Sequence, residues 1–154
     1  MRTVIVGAGN LLLGDEGVGV HAVRELMQEQ HPAEVELVDA GTVGVEILHY
    51  LQGAGRVVVV DAVNLSMQPG TVVRIRGVDL RAGNSRARSA HDSDILSLLG
   101  ESPPLVDPQR VVVLGVVPGE VSMPTLELSP AVQRALPLLL EEIRKEMRDP
   151  AAQP

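Results

Sequence analysis

Asp15, Glu16, Asp39, Asp61 and His91 are the residues of this chain whose types and spacing could do chemistry. The first two sit in "GNLLLGDEGVGVHAV" (Gly9–Val23), a glycine-rich turn that follows an apolar run and opens a helix. Turns of that kind commonly receive phosphate on backbone N–H groups. This one carries carboxylates at its tip, and they would repel an anion. Asp39 closes a second apolar run and Asp61 a third, "VVVVD". A carboxylate at the end of so apolar a run leaves a hydrophobic layer and needs a partner or water. His91 opens a later helix after a polar loop. Glu16, Asp61 and His91 together supply two oxygen donors and one nitrogen donor from three separate stretches. Such a set suits a borderline divalent cation such as Ni²⁺ or Zn²⁺ and leaves coordination positions open. Each residue also has a plainer reading. Asp15 and Glu16 could be a solvated pair favouring the positive end of a helix, Asp61 a turn cap, and His91 a surface residue.

Composition narrows what these groups could act on. The chain has 154 residues, 45% of them apolar, yet no Phe or Trp, and Tyr50 is its one aromatic residue. The core must be aliphatic, and stacking of single-stranded nucleic acid lacks its platforms. A net charge of −7 also disfavours phosphate backbones. Cysteine is absent, which removes disulfides, thiolate metal sites and cysteine nucleophiles together. Any metal must be held by histidine and carboxylate. The N-terminal run is too short for a signal peptide and no run reaches membrane-spanning length. The expectation is a cytoplasmic protein with no nucleic-acid partner and no membrane insertion, monomeric by default.

The elements that would position these residues alternate along the chain. Strands are expected at Arg2–Gly7, Glu34–Thr42, Arg56–Val63 and Arg110–Glu120, and "TVVRIR" (Thr71–Arg76) alternates like an edge strand. Helices are expected at Gly17–Gln30, Gly44–Gly53, His91–Gly100 and after Ser129, which can cap a helix whose first position is Pro130. Pro137 is expected to kink it. Asp79–Ser89 reads as a polar loop. The cluster Arg74, Arg76, Arg81, Arg86 and Arg88 reads as a solvated stretch in preference to a docking patch. Alternating strands and helices imply an α/β fold: a single three-layer domain with a mostly parallel twisted sheet between helices, over residues 1–150, with 151–154 as a frayed tail. Ligands of such sheets bind outside the carboxyl ends of the strands. That edge is where Asp15, Glu16, Asp39 and Asp61 are expected to gather.

A dinucleotide-binding reading competes. "GAGNLLLG" has Gly7 and Gly9, but Leu12 stands where the third glycine of G-x-G-x-x-G belongs. Asp39 could serve a ribose, while Asp15 and Glu16 would oppose the pyrophosphate.

In order along nearly the whole chain, "GAGNLLLGDEGVGV", "DAGTVGVEIL", "VVVVDAV", "PGTV", His91 with "ILSLL", and "VVLGVVP" resemble the hydrogenase maturation endopeptidases. These proteases trim the C-terminus of the large subunit of nickel–iron hydrogenases. The resemblance implies that Glu16, Asp61 and His91 contact the nickel already inserted in the precursor large subunit, the partner and substrate. Nickel would then come with the substrate, although Zn or Cd could occupy the same donors. Asp39 matches the acid of the family's D-x-G motif, implying water activation or positioning of a recognition loop. Asp39, Asp61 and Glu16 are thus the implied catalytic carboxylates. Gly119 in "GVVPGE" departs from relatives that carry an acid directly after the proline. Two alternatives stay open: a docking chaperone that binds the precursor without cutting it, and a Rossmann-like nucleotide-binding module.

Overall fold

The computed structural model describes residues 1–41, 45–81, 88–89, 95–99, 106–120 and 122–148. The valine-rich runs become strands because β-branched side chains are stiff and pack well on a pleated surface. The strands are β1 (Thr3–Ala8), β2 (Val35–Gly41), β3 (Arg56–Asn64), β4 (Val72–Arg76), β5 (Arg88–Ser89) and β6 (Val111–Val116). The helices are α1 (Val18–Leu26), α2 (Leu48–Leu51), α3 (Gly77–Arg81), α4 (Ile95–Leu99) and α5 (Pro130–Arg148). α5 starts where its sequence says it should: Ser129 Oγ accepts the Val132 N–H at 3.4 Å and Pro130 takes the first helical position. It continues through Pro137 as a single helix.

The sheet order is β2-β1-β3-β6-β4. β1 pairs in parallel with β2 and β3, β3 pairs in parallel with β6, and β4 lies antiparallel to β6 at the edge. β5 adds a short antiparallel pair at the end of β3, Val63 opposite Ser89 and Asn64 opposite Arg88. Side-chain alternation then builds two cores. Ile5, Val58, Val60 and Leu114 pack beneath Val23 and Leu26 of α1 and Leu139 and Ile143 of α5. On the other face Val4, Val6, Val57, Val59 and Val113 pack beneath Ile47, Leu51, Ile95 and Leu99. Val57 to Val60 are all fully buried; each such side chain stabilises the fold by about 1.5–3 kcal/mol relative to exposure. The result is the three-layer α/β arrangement expected from the sequence.

From β1 the chain crosses to β2 on one side and then returns past β1 to β3 on the other. That reversal opens a crevice between the carboxyl ends of β1 and β3, the place where open α/β sheets take ligands.

Several boundaries differ from the sequence reading. α1 is shorter than Gly17–Gln30, because a 3₁₀ turn, Gly14–Gly17, precedes it. The second helical segment is one 3₁₀ turn, Val45–Ile47, followed by the single turn of α2. β3 runs past Asp61 to Asn64, since β5 and β6 both offer it partners there. The supposed loop Asp79–Ser89 begins inside α3 and ends in β5. Arg74 and Arg76 belong to β4 and are ion-paired, with Glu146 at 2.9 Å and Asp79 at 3.2 Å. Glu146 of α5 is 2% exposed and also receives the guanidinium of Arg56, the first residue of β3. The start of the expected helix at His91 and the tail 151–154 lie outside the described residues. Among the described residues no helix is long and apolar enough to cross a membrane.

Candidate active site at the crevice between β1 and β3

The turn after β1 is shaped by close backbone packing. Gly9 takes φ +125°, and a side chain there would overlap the Glu16 carbonyl oxygen. The Asn10 side chain accepts the Leu12 N–H at 2.9 Å, which folds the chain back before the 3₁₀ turn. α1 then starts directly on the strand ends. Gly19 lies so near the Val60 and Ala8 carbonyl oxygens that no β-carbon would fit. A glycine-rich turn is therefore used to press the N-terminus of α1 and the Gly14–Gly17 turn into the crevice.

The adjacent acids of that turn have different fates. Asp15 is 2% exposed. Its carboxylate accepts the Gly119 N–H at 2.9 Å, the Ser129 N–H at 2.7 Å and the Ser129 hydroxyl at 2.7 Å. Glu16 is only partly buried. Asp61 is fully buried, and its Oδ1 accepts the Ala62 N–H at 2.8 Å. It stands one residue beyond Val60, where the pairing of β3 with β1 stops opposite Gly7. The turn bearing Glu16 packs on β3. The turn bearing Glu16 and the strand bearing Asp61 thus pack together at the carboxyl edge of the sheet.

Asp39 is placed differently. Along β2 it alternates with Val38 and Ala40, which join the core that contains Val57 and Val59. Asp39 falls with Val35 and Leu37 on the α1 face instead, and its Oδ2 accepts from Arg24 Nε of α1 at 2.7 Å. By the same alternation Asp61 shares the face of Val57, Val59 and Val63. The two aspartates therefore lie on opposite faces of the sheet. His91 lies outside the described residues, and among those residues no group of three His, Asp or Glu side chains could hold a metal ion.

Comparison with known proteins gives the family. The family model HycI, hydrogenase maturation protease, matches residues 20–146. The chain belongs to the hydrogenase maturation protease family. The "Hydrogenase 2 maturation protease" of Escherichia coli K12 is 32% identical, over 97% of this chain and 92% of the relative. The "Hydrogenase expression/formation protein HupD" of Rhodobacter capsulatus is 34% identical, over 96% of this chain and 71% of the relative. Among solved structures, the hydrogenase maturating endopeptidase HybD from E. coli superposes with a TM-score of 0.84 at 28% identity, covering 98% of this chain and 94% of the other. The protein is a peptidase of hydrogenase maturation, and neither the nucleotide-binding module nor the non-cleaving chaperone is favoured.

The protease carries a further ionisable group beside the turn. The His21 imidazole, on α1, is held below its usual value of 6.5, first by burial and then by the nearby Arg24 guanidinium; a backbone hydrogen bond to Leu126 opposes both. Its Nε2 is buried with no partner among the described residues. The unfolded chain therefore binds this proton more readily, so stability is complete above 6.5 and falls as the pH drops through 6.5 toward the folded value. Thermal melts of the wild-type protease minus those of His21→Leu, taken between neutral and mildly acid pH, should show that slope. A flat difference would remove His21 from the account.

What the sequence concealed is Asp15. Its hydrogen-bond partners are 104 and 114 positions away, and no local pattern announces them.

Proposed function

We propose that this protease removes a short C-terminal peptide from the nickel-loaded precursor of a nickel–iron hydrogenase large subunit. The observation that carries the reading is the packing of the turn bearing Glu16 against β3, the strand that carries the fully buried Asp61 at the carboxyl edge of the sheet. Carboxylates at that edge are hard oxygen donors, of the kind a divalent cation brought by the substrate can take. Glu16, Asp61 and His91 are assigned to the nickel of the bound precursor. Two carboxylates and an imidazole suit nickel(II), and Zn or Cd would take the same donors. The chain has no cysteine to compete with thiolates already holding the metal. Such a set of donors is weak alone and complete with substrate, so it reads whether the metal has been inserted.

Hydrolysis itself asks for a water whose proton passes to a carboxylate as its oxygen adds to the scissile carbonyl. The C–N bond then breaks and the leaving amine takes the proton. The pair Glu16 and Asp61 is assigned that proton. Asp39, on the opposite face and bound to Arg24, is assigned to positioning the end of β2.

The test is to mix the protease with precursor large subunit, with and without loaded nickel, and to weigh the large subunit by intact mass spectrometry. Loss of a C-terminal peptide in the nickel-loaded sample alone is expected. An unchanged mass with an authentic partner, or equal cleavage of both samples, would overturn the reading.

A further inference from the structure

The buried Asp15 is the strongest feature that the proposed chemistry leaves unused. Its carboxylate holds both ends of the excursion between β6 and α5: Gly119 at the start and Ser129 at the close. Compact surface loops with tied ends of this kind are frequently functional. The same excursion is fastened at its middle. Thr125 N–H donates to the Leu12 carbonyl at 2.8 Å, and Gly14 N–H donates to the Thr125 carbonyl at 2.8 Å. Every one of these bonds ends in the stretch Leu12–Asp15, immediately before Glu16. A β-carbon on Gly119 would lie 3.3 Å from the Asp15 carboxylate, a tight contact.

The fastened arm is also what the turn presents to a partner. Met123 and Leu126 on the arm, and Leu12 on the turn, are 72%, 62% and 61% exposed. A cleft of about 360 Å³ runs between Met123 and Asp15, lined also by Glu120 and Glu127.

We propose that Asp15 is a positioning residue for proteolysis, its carboxylate locking the Gly119–Ser129 arm to the turn that carries Glu16 so that a substrate seated on the arm meets Glu16 at a fixed place. This rests on the assignment of Glu16 to the reaction. Asp15 does not touch substrate; it acts through its neighbour and through the arm. A carboxylate is required because all the groups that reach it are donors, and an asparagine would turn an N–H toward one of them.

The experiment uses the full chain and nickel-loaded precursor, with initial rates at several precursor concentrations normalised to the folded fraction by circular dichroism. Asp15→Asn should lose about tenfold or more in kcat/KM per folded molecule, shared between a higher KM and a lower kcat. Ser129→Ala should lose less, and Ser129→Thr, which keeps the hydroxyl, should recover the wild-type value. If Asp15→Asn does not fold, the Ser129 pair decides. Wild-type kcat/KM per folded molecule in both Asp15→Asn and Ser129→Ala would make Asp15 a structural residue only and overturn the inference. Glu16→Gln in the same assay separates the two levels. If it is inactive while Asp15→Asn and Ser129→Ala are fully active, the inference alone falls. If Glu16→Gln is fully active, the assignment of Glu16 falls and takes the inference with it.

Discussion

Glu16→Gln and Asp61→Asn should each slow cleavage of a nickel-loaded precursor by on the order of 10²–10⁴-fold, the range for loss of a positioned proton-transfer group. Both replacements keep side-chain shape and change what the oxygen-bearing end offers. An amide presents one acceptor and one N–H pair, so it loses anionic attraction for a cation and can no longer take a proton from water. Asp61 is the sharper case. It is fully buried, yet its Oδ1 bond to the Ala62 N–H at 2.8 Å can be kept by an asparagine oxygen. The fold should therefore survive, with a far-ultraviolet spectrum and a melting curve close to those of the wild type. Cleavage at the wild-type rate by a folded Asp61→Asn would remove that residue from the reaction. Unfolding would recast it as a structural acid.

Glu146→Ala should be strongly destabilising. Glu146 is 2% exposed and faces Arg56, itself 8% exposed, as well as Arg74. Removing the acid leaves the Arg56 charge buried with no carboxylate opposite it among the described residues, and breaking such a pair typically costs about 3–5 kcal/mol. For a chain of this size each kcal/mol moves the melting temperature by about 2–4 °C, so a fall of about 6–20 °C is expected. The control is a variant in which Arg56 and Glu146 are both replaced by aliphatic residues of similar size. It should regain most of the loss, because the pair's desolvation penalty disappears with it. A drop of only a degree or two in Glu146→Ala would show that water reaches the arginine and that the buried cluster contributes little.

β1, β3 and β6 were legible because each is a run of β-branched residues too apolar for anything but a covered sheet, as in "VVVVD". Parallel pairing followed from their alternation with helices. That the turn bearing Glu16 and the strand bearing Asp61 meet at the carboxyl edge was legible for the same reason, since the topology delivers both there. Which face each acid takes was not. Asp39 and Asp61 both look like strand-ending acids. Their separation depends on alternation within β2 and β3, and β3 continues to Asn64 only because β5 and β6 pair there. Arg74 and Arg76 are exposed, as expected of a solvated stretch, but the pairing of Arg74 with Glu146, 72 positions away on α5, could not be read from the sequence. Long-range pairing of charges leaves no periodic trace, and the same holds for Asp15 and Ser129.

The glycines that bring α1 onto the strand ends have a thermodynamic consequence. At Gly19 the helix touches the Val60 and Ala8 carbonyls backbone to backbone, without intervening side chains that could change rotamer. The wall that carries Glu16 is thus assembled before any partner arrives. Binding there spends little of its favourable energy on ordering the protease, so association with a loaded precursor should carry an entropy set by the incoming chain and the water it displaces.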